Sequence, residues 1–272
     1  MTAFRHGTLS LDYQDSGSGP LTLVLLPGWC EPKTVFAPFT ALAEQHYRVI
    51  SLDWRGHGLS ARDAGLSARD AGLSLGADDL LADLRQLLLA LQVERFVTLS
   101  VAHASWIAVA LAESLPQQTQ GMVFLDWIMT PPEAEFFDSV QQMQWPEKWL
   151  AARDALFNFW QGGIEQPQVK HHLTVEMARE DFRVWQAAGV AIEQAYRQYH
   201  SPLNRLRELS SPQACRHIYS LDRDADYLRQ QQTFAAEHPF FSVVRLEQAR
   251  THLGILERPD AVYREVVNFL GN

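Results

Sequence analysis

The sequence has little cysteine, no long apolar run and no cluster of basic residues. Only two cysteines, Cys30 and Cys215, stand among 272 residues, and without an export signal we expect both to stay reduced. No apolar run approaches the ~20 residues that span a bilayer. The formal net charge is −9, so binding to nucleic acid or to an anionic membrane is not expected.

Three further absences narrow the class of protein. The residues after Met1 lack the apolar core of a secretory signal peptide. A glycine-rich dinucleotide motif after a strand and a phosphate loop are both missing, which argues against a nucleotide cofactor. With 47% hydrophobic and 20% charged residues, the composition is that of an ordinary globular protein able to bury a core. We therefore expect a cytoplasmic protein, monomeric or weakly homo-oligomeric.

Short, mainly apolar runs recur along the chain, as in strands that are buried on both faces of a parallel sheet. They are Leu21–Leu26, Tyr47–Leu52, Phe96–Leu99 and Met122–Leu125, and His217–Ser220 and Val243–Leu246 are predicted as two late strands. Helical patterns alternate with them, at Ala77–Leu91, Trp106–Leu115 and Pro259–Leu270. Strands and helices joined by short links predict right-handed crossovers and a doubly wound, mostly parallel sheet, which is an α/β fold.

Residues 130–210 interrupt this alternation, because they have helical spacing, many Trp, Gln, Glu and Arg residues, and no convincing strand. We predict that they form a helical cap over one end of the sheet, with 1–129 and 211–272 forming the core.

A seven-residue tandem repeat, LSARDAG, occupies 59–65 and 66–72. It is interpreted as a duplication in a surface loop, where added length costs little.

The strand Phe96–Leu99 runs into a turn of small residues before a helix. In the α/β-hydrolase fold such a turn carries G-x-S-x-G, with the nucleophilic serine at its centre. Here the centre is Ala102, which has no group to attack a carbonyl carbon. Acyl-enzyme chemistry at this turn is therefore excluded, and Ser100 and Ser105 have offsets that point them elsewhere. An inert structural turn is the alternative interpretation.

Other parts of an α/β-hydrolase site are present. Leu26–Trp29 follows the first buried strand, where backbone N–H groups can bind an oxyanion. His252 follows the last strand, where the base of this fold lies. Its partner acid is Asp126, directly after another strand, or one of a later group, Asp222, Asp224 and Asp226. We favour Asp126, because the later group resembles a solvated loop and a carboxylate among apolar neighbours needs a partner such as His252.

A metal site is poorly supported by the sequence. His171 and His172 are adjacent and so face different ways on a helix. His172 and Glu176, four residues apart, supply only two ligands, fewer than a zinc site needs. We interpret these residues as a solvated helix surface and expect no metal.

Further motifs are spread from Leu21 almost to the C-terminus and include the predicted cap. They are Pro27–Cys30, Asp53–His57, His103, Trp106, Asp126–Trp127, Phe157–Trp160, Ser201–Pro202, His217–Ser220, Phe234–His238 and Thr251–His252. In these motifs the sequence resembles a known family, the cofactor-independent 3-hydroxy-4-quinolone 2,4-dioxygenases of the α/β-hydrolase fold.

The resemblance implies a bacterial enzyme that opens an N-heteroaromatic ring with O2 and releases carbon monoxide, without metal or flavin. It implies that His252, oriented by Asp126, deprotonates the 3-hydroxyl of the substrate. Trp160 would flank the flat ring, the backbone near Trp29 would face a substrate oxygen, and His103 would shape the O2 site. The partners expected are a small heteroaromatic substrate and O2.

The sequence also departs from this family, which usually has serine at Ala102, His or Thr at Val101, Gly at Ala104 and often Phe at Leu253. Losing one substrate hydrogen bond at Ala102 costs ~0.5–1.5 kcal/mol, so dioxygenation would be slower or altered, not abolished. Two alternatives stay open: a relative that uses the same pair of residues on another heteroaromatic or in hydrolysis, and a non-catalytic binding protein. Retention of a base argues against the second.

Overall fold

The computed structural model describes residues 2–6, 9–60, 74–221 and 223–271. Its strands are β1 Thr2–His6, β2 Leu9–Ser16, β3 Thr22–Leu26, β4 Arg48–Leu52, β5 Phe96–Val101, β6 Thr119–Leu125, β7 Cys215–Tyr219 and β8 Phe241–Arg245. They form one sheet in the order β1-β2-β4-β3-β5-β6-β7-β8. Only the pairs β1–β2 and β2–β4 are antiparallel, and every other neighbouring pair is parallel.

The helices of the described residues lie between and after these strands. They are α1 Ala37–Ala43, α2 Ala77–Ala90, α3 Ser105–Ser114, α4 Ala134–Gln142, α5 Trp149–Trp160, α6 Pro167–His171, α7 Phe182–Tyr199, α8 Pro202–Arg207, α9 Ala225–Glu237, α10 Gly254–Glu257 and α11 Pro259–Gly271. Helix α1 packs against α11, and α2 packs against α3. The predicted helical pattern at Ala77–Leu91 forms α2, in which Leu80, Leu84, Leu87 and Leu88 are buried.

The sheet reverses its direction of growth beside β3. The chain passes from β3 to β4 on one side and then returns to β5 on the other side. Because crossovers are right-handed, the helices before and after this reversal cover opposite faces of the sheet. The predicted doubly wound α/β fold is confirmed, and its switch point lies between the carboxyl ends of β3 and β5, where such folds bind ligands.

Each of the six predicted strands exists, and no end is shifted by more than three residues. The antiparallel hairpin of β1 and β2 was not predicted. The reason lies in its sequence, TAFRH and LSLDYQDS, which alternates apolar and polar residues in place of a buried apolar run. An edge hairpin of this kind gives a weaker signal than a central strand.

Between β6 and β7 the described elements are all helical, from α4 to α8. The limits of the proposed cap, 130–210, stay a prediction. The tandem repeat falls almost wholly in 61–73, outside the described residues.

Among the described residues no helix is both long enough and apolar enough to cross a membrane. The cytoplasmic location and the oligomeric state stay predictions.

Candidate active site

The turn after β5 has the geometry of a nucleophile elbow. Ala102 has a φ of 46°, an angle in the left-handed region that a non-glycine residue adopts only under strain. A single 3-10 turn, Ala102–Ala104, leads directly into α3. The oxygens of Ser100 and Ser105 lie 2.8 Å apart and both residues are fully buried. They bind each other beneath the elbow, so neither takes the place of the missing nucleophile.

The loop after β3 forms the opposite wall of the site and is held by side chains. Trp54 Nε1 donates to the Pro27 carbonyl oxygen at 2.8 Å. The Gly28 backbone N–H donates to Glu31 Oε2 at 2.7 Å, and a Cβ on Gly28 would lie 2.9 Å from that same oxygen. Cys30 has a φ of 62°. This constrained loop presents Trp29 to the cavity.

His252 lies where the sequence predicted it, in the loop between β8 and α10. Its backbone N–H donates to the Trp160 carbonyl oxygen at 2.8 Å. The two rings are stacked, with centroids 5.1 Å apart and planes 19° apart. The turn after α5 also approaches the His252 loop closely, since a Cβ on Gly162 would lie 2.3 Å from the Arg250 carbonyl oxygen. The end of α5 therefore fixes the loop that carries the imidazole.

Asp126 directly follows β6, with a φ of 50° and 7% of its surface exposed. Its Oδ1 accepts the Ser220 backbone N–H at 2.7 Å. Ser220 Oγ lies 2.9 Å from Asp126 Oδ2 and 2.6 Å from the Thr251 carbonyl oxygen. Ser220 thus joins the carboxylate to the residue before His252, and this link could not be predicted from the sequence.

No hydrogen bond between Asp126 and His252 is found among the described residues. Nδ1 of His252 is enclosed and has no hydrogen-bond partner there. The two residues meet at the same edge of the sheet, where the carboxylate binds Ser220 and the Leu221 N–H, the latter at 3.4 Å. The structure therefore brings the predicted acid near the predicted base without joining them directly.

Burial controls the charge of both groups. It lowers the pKa of His252 to about 3, and Arg223 and His103 act in the same direction. Burial raises the pKa of Asp126 to about 7, against the hydrogen bonds that Ser220 donates to it. At neutral pH the imidazole is consequently uncharged and able to accept a proton, and the carboxyl group is close to half ionised.

One cavity, called here the reaction cavity, collects the predicted site residues. It holds about 830 Å³ of empty space, counting its opening to solvent. Its wall is mostly apolar and includes side chains of α4, α5 and α7. The predicted residues that line it are Trp29, Ala102, His103, Trp160 and His252. An apolar cavity with a few convergent polar groups is the usual form of a small-molecule site.

His103 lies between aromatic side chains in this cavity. Its ring centroid is 5.7 Å from those of Phe136 and Tyr196. Burial lowers the pKa of His103 to about 3, so the ring is neutral at pH 7. Its Nδ1 is enclosed without a hydrogen-bond partner among the described residues.

The alternative acids after β7 have other positions. Asp224 is exposed and lies just before α9, where its carboxylate accepts the Tyr227 N–H at 2.9 Å and caps the helix. Asp226 lies in the first turn of that helix, is exposed and pairs with Arg229. Asp222 lies outside the described residues. The predicted solvent exposure of Asp224 and Asp226 is confirmed, but the loop is shorter than predicted, because α9 begins at Ala225 and an Asp before a helix satisfies its free N–H groups.

The prediction of a solvated surface at His172 was also wrong. Only 3% of its surface is exposed, and its Nε2 and Nδ1 lie 3.1 Å from Glu31 Oε1 and 2.7 Å from Glu176 Oε2. These two carboxylates raise the pKa of His172 to about 9. Helical spacing suggested a free surface because the partner Glu31 is distant in sequence.

Among the described residues no group of three His, Cys, Asp or Glu side chains could hold a metal ion.

The fold and this site define an α/β-hydrolase-type protein whose elbow carries no nucleophile. The sequence pattern of the Alpha/beta hydrolase family matches residues 23–265. The chain is 33% identical over 263 residues to the 2-heptyl-3-hydroxy-4(1H)-quinolone dioxygenase of Mycobacteroides abscessus, covering 96% of this chain and 94% of the relative. It is 32% identical over 268 residues to the 1H-3-hydroxy-4-oxoquinoline 2,4-dioxygenase of Pseudomonas putida, covering 97% of both.

A solved structure points the same way. It is the structure of AqDC in complex with its product, described as a basis for recognition and ring cleavage of the Pseudomonas quinolone signal. This chain matches it with a TM-score of 0.92 and 32% identity over 100% of both chains. The chain therefore belongs to the α/β-hydrolase family and, within it, to the 3-hydroxy-4-quinolone 2,4-dioxygenases. The resemblance inferred from the sequence is confirmed, as is the assignment to ring-cleaving enzymes.

Proposed function

We propose that this protein cleaves the heteroaromatic ring of a 3-hydroxy-4(1H)-quinolone with O2 and releases carbon monoxide and an N-acylanthranilate. No metal or organic cofactor takes part. The observation that carries the proposal is a buried His252 that lines one mostly apolar cavity together with Ala102, at an elbow that lacks a nucleophile. Such an imidazole can remove a proton but has no serine to activate.

The first step is proton transfer from the 3-hydroxyl of the substrate to His252. The resulting imidazolium is stabilised by Asp126 once that carboxyl group is ionised, through a small movement that brings Nδ1 of His252 to the carboxylate. Ser220 holds the carboxylate 2.7–3.0 Å from its own N–H and hydroxyl, which keeps it next to the His252 loop. Asp126 is thus a positioning and charge-stabilising residue.

The substrate anion then reacts with O2. Both oxygen atoms enter the products: C3 leaves as carbon monoxide, C4 becomes the carboxyl carbon and C2 becomes the acyl carbon. The backbone N–H groups of Trp29 and His103 occupy the two positions that form the oxyanion hole of this fold. We assign them to the substrate oxygens. Trp160, stacked on His252, flanks the ring plane.

The test is turnover by the purified protein in air with a 2-alkyl-3-hydroxy-4(1H)-quinolone and a metal chelator present. We expect loss of the substrate's ultraviolet absorbance with one carbon monoxide released per substrate. His252→Ala should lower kcat by about 10²–10⁴-fold and still bind substrate, because only the base is lost.

The matched control for this experiment is His171→Ala, since His171 is exposed and does not line the reaction cavity. It should turn over as the wild type does. Near-normal turnover by His252→Ala would remove His252 as the base. Tight binding of the quinolone by the wild type without any turnover would instead support a non-catalytic binding protein, and inhibition by the chelator would contradict the absence of a metal.

A further inference from the structure

Arg223 is a cation whose position the reaction outlined above does not use. It lies between β7 and α9 and is half-buried. Its guanidinium carbon is 5.4 Å from the centre of the Tyr227 ring. Tyr227 is itself buried, and its hydroxyl donates to the Trp127 carbonyl oxygen at 2.8 Å. The cation therefore rests on a fixed aromatic wall, where stacking favours arginine.

Arg223 lines two cavities that meet. One is the reaction cavity, and the other, called here the outer cavity, opens beside it between α4, α5 and α9 with about 1760 Å³ of space, counting open solvent. The walls of both include Ile128, Phe136, Ser139, Leu156, Phe159 and Arg223. Arg223 thus lies at the boundary that a ligand crosses between the outer cavity and the reaction cavity.

The charges around this boundary single out Arg223. Among the described residues that line either cavity, it is the one lysine or arginine. The outer cavity carries four carboxyl groups, from Glu133, Glu135, Asp224 and Asp226. An anion is therefore stabilised at Arg223 itself and not over the outer cavity as a whole. The positive charge of Arg223 also acts on His252, because after burial it contributes to the lowered pKa of that imidazole.

The chemistry of the reaction supplies an anion at this place. The substrate enters uncharged, whereas the N-acylanthranilate product carries a carboxylate. One oxygen of that carboxylate comes from the 4-carbonyl, which is next to the 3-hydroxyl and hence next to His252. We infer that Arg223 is a carboxylate-binding residue of the reaction cavity, which holds the anthranilate carboxylate of the product. This inference rests on the proposed function for its ligand.

The experiment compares two product analogues, an N-acylanthranilate and its neutral carboxamide, as ligands measured by calorimetry. We expect the wild type to bind the carboxylate at least about tenfold more tightly than the carboxamide, since hydrogen bonds between charged groups are the stronger ones. Arg223→Gln should bind both with equal affinity, and Arg223→Lys should retain part of the preference.

The matched control is Arg264→Gln, which removes an exposed arginine of α11 that lines neither cavity. It should behave as the wild type does. The inference is overturned if the wild type shows no preference, or if Arg223→Gln keeps it. Carbon monoxide release reports separately on the proposed function. A protein that turns over normally but keeps its carboxylate preference in Arg223→Gln would retain the function and lose this inference.

Discussion

At the scale of single residues, the site depends on two groups whose pKa values burial shifts in opposite directions, downward for His252 and upward for Asp126. The neutral imidazole of His252 is ready to accept a proton, but an imidazolium enclosed in the same place needs a counter-charge. Asp126 can supply it only when ionised, and its raised pKa of about 7 makes that condition depend on pH near neutrality. The proton transfer should therefore respond to the ionisation of the acid as well as of the base.

Asp126→Asn tests this coupling. In the wild type we expect kcat/KM to rise as pH increases through about 7, because ionised Asp126 stabilises the imidazolium of His252. Asparagine keeps an oxygen for the Ser220 N–H but cannot ionise, so that rise should vanish and kcat should fall by about 10–100-fold, less than for loss of the base. If the pH profile of kcat/KM still rises near pH 7 in Asp126→Asn, the ionisation behind that rise belongs to another group.

The same variant has an expected effect on stability with a definite sign. Asp126 has a folded-state pKa above its ordinary value of 3.8, so its contribution to stability is fully present below pH 3.8 and is lost as pH rises through about 7. Relative to the wild type, Asp126→Asn should therefore become more stable between pH 4 and 8. Denaturant unfolding at pH 4 and at pH 8 measures the difference in stability. Relative to the wild type, Asp126→Asn should lose activity and gain stability as the pH rises.

Ala102 provides a second prediction at this scale. Its methyl group lines the cavity wall at the elbow, so Ala102→Ser would place a hydroxyl beside the substrate at a φ that this fold accepts for serine. One added hydrogen bond, worth ~0.5–1.5 kcal/mol, should raise kcat/KM by up to about tenfold. Steady-state kinetics on the same quinolone measures it, and a lower value would mean that the cavity is shaped for alanine.

The residue positions were predictable where they follow directly from strands. Asp126 comes directly after the buried strand β6, and His252 lies in the loop that follows β8. Parallel strands end at one edge of a sheet, so the sequence predicted that both residues lie at this edge. The absence of a direct hydrogen bond between them did not. It depends on Ser220, whose short side chain looks like any strand-end serine until its distances to Asp126 and Thr251 are known.

At the scale of elements, the central strands were predictable and α9 was not. Its sequence, ADYLRQQQTFAAE, has a polar surface and its buried side chains include Tyr227, Gln231 and Phe234, a weak apolar stripe. The acids at 222, 224 and 226 favoured a loop. Two of them mark the start of a helix instead, because Asp224 binds the Tyr227 N–H as the N-cap and Asp226 lies in the first turn, where acidic residues are favoured.

Asp224→Ala separates the structural role of this acid from the catalytic role that the sequence left open. Loss of the cap should lower the free energy of unfolding by about 1 kcal/mol. Turnover of the folded protein should stay within a few fold of the wild type, because Asp224 binds the helix and not His252. If kcat instead falls as far as in Asp126→Asn while the protein stays folded, the acid has been assigned to the wrong residue.

At the scale of the whole molecule, the described helices between β6 and β7 are tied to the sheet by charge as well as by apolar packing. His172 lies in a single π-helical turn, His172–Glu176, after α6. It reaches Glu31 in the loop after β3, 141 residues away in sequence, and Glu31 in turn binds the Gly28 N–H beside Trp29. Sequence spacing could not reveal this link, because periodicity reports only near neighbours.

His172→Gln tests how much this link holds the molecule together. The pKa of His172 is raised from 6.5 to about 9, so the stabilisation is fully present below pH 6.5 and is lost as pH rises through about 9. At pH 6.5 the variant should lose about 3–5 kcal/mol, because a buried carboxylate stays without its partner. At pH 10 the difference from the wild type should be much smaller. Denaturant unfolding at the two pH values measures both differences, with His46→Gln, at an exposed histidine of another part of the chain, as the control. An equal loss at both would mean that the imidazole stabilises this contact by packing and neutral hydrogen bonds, without its charge.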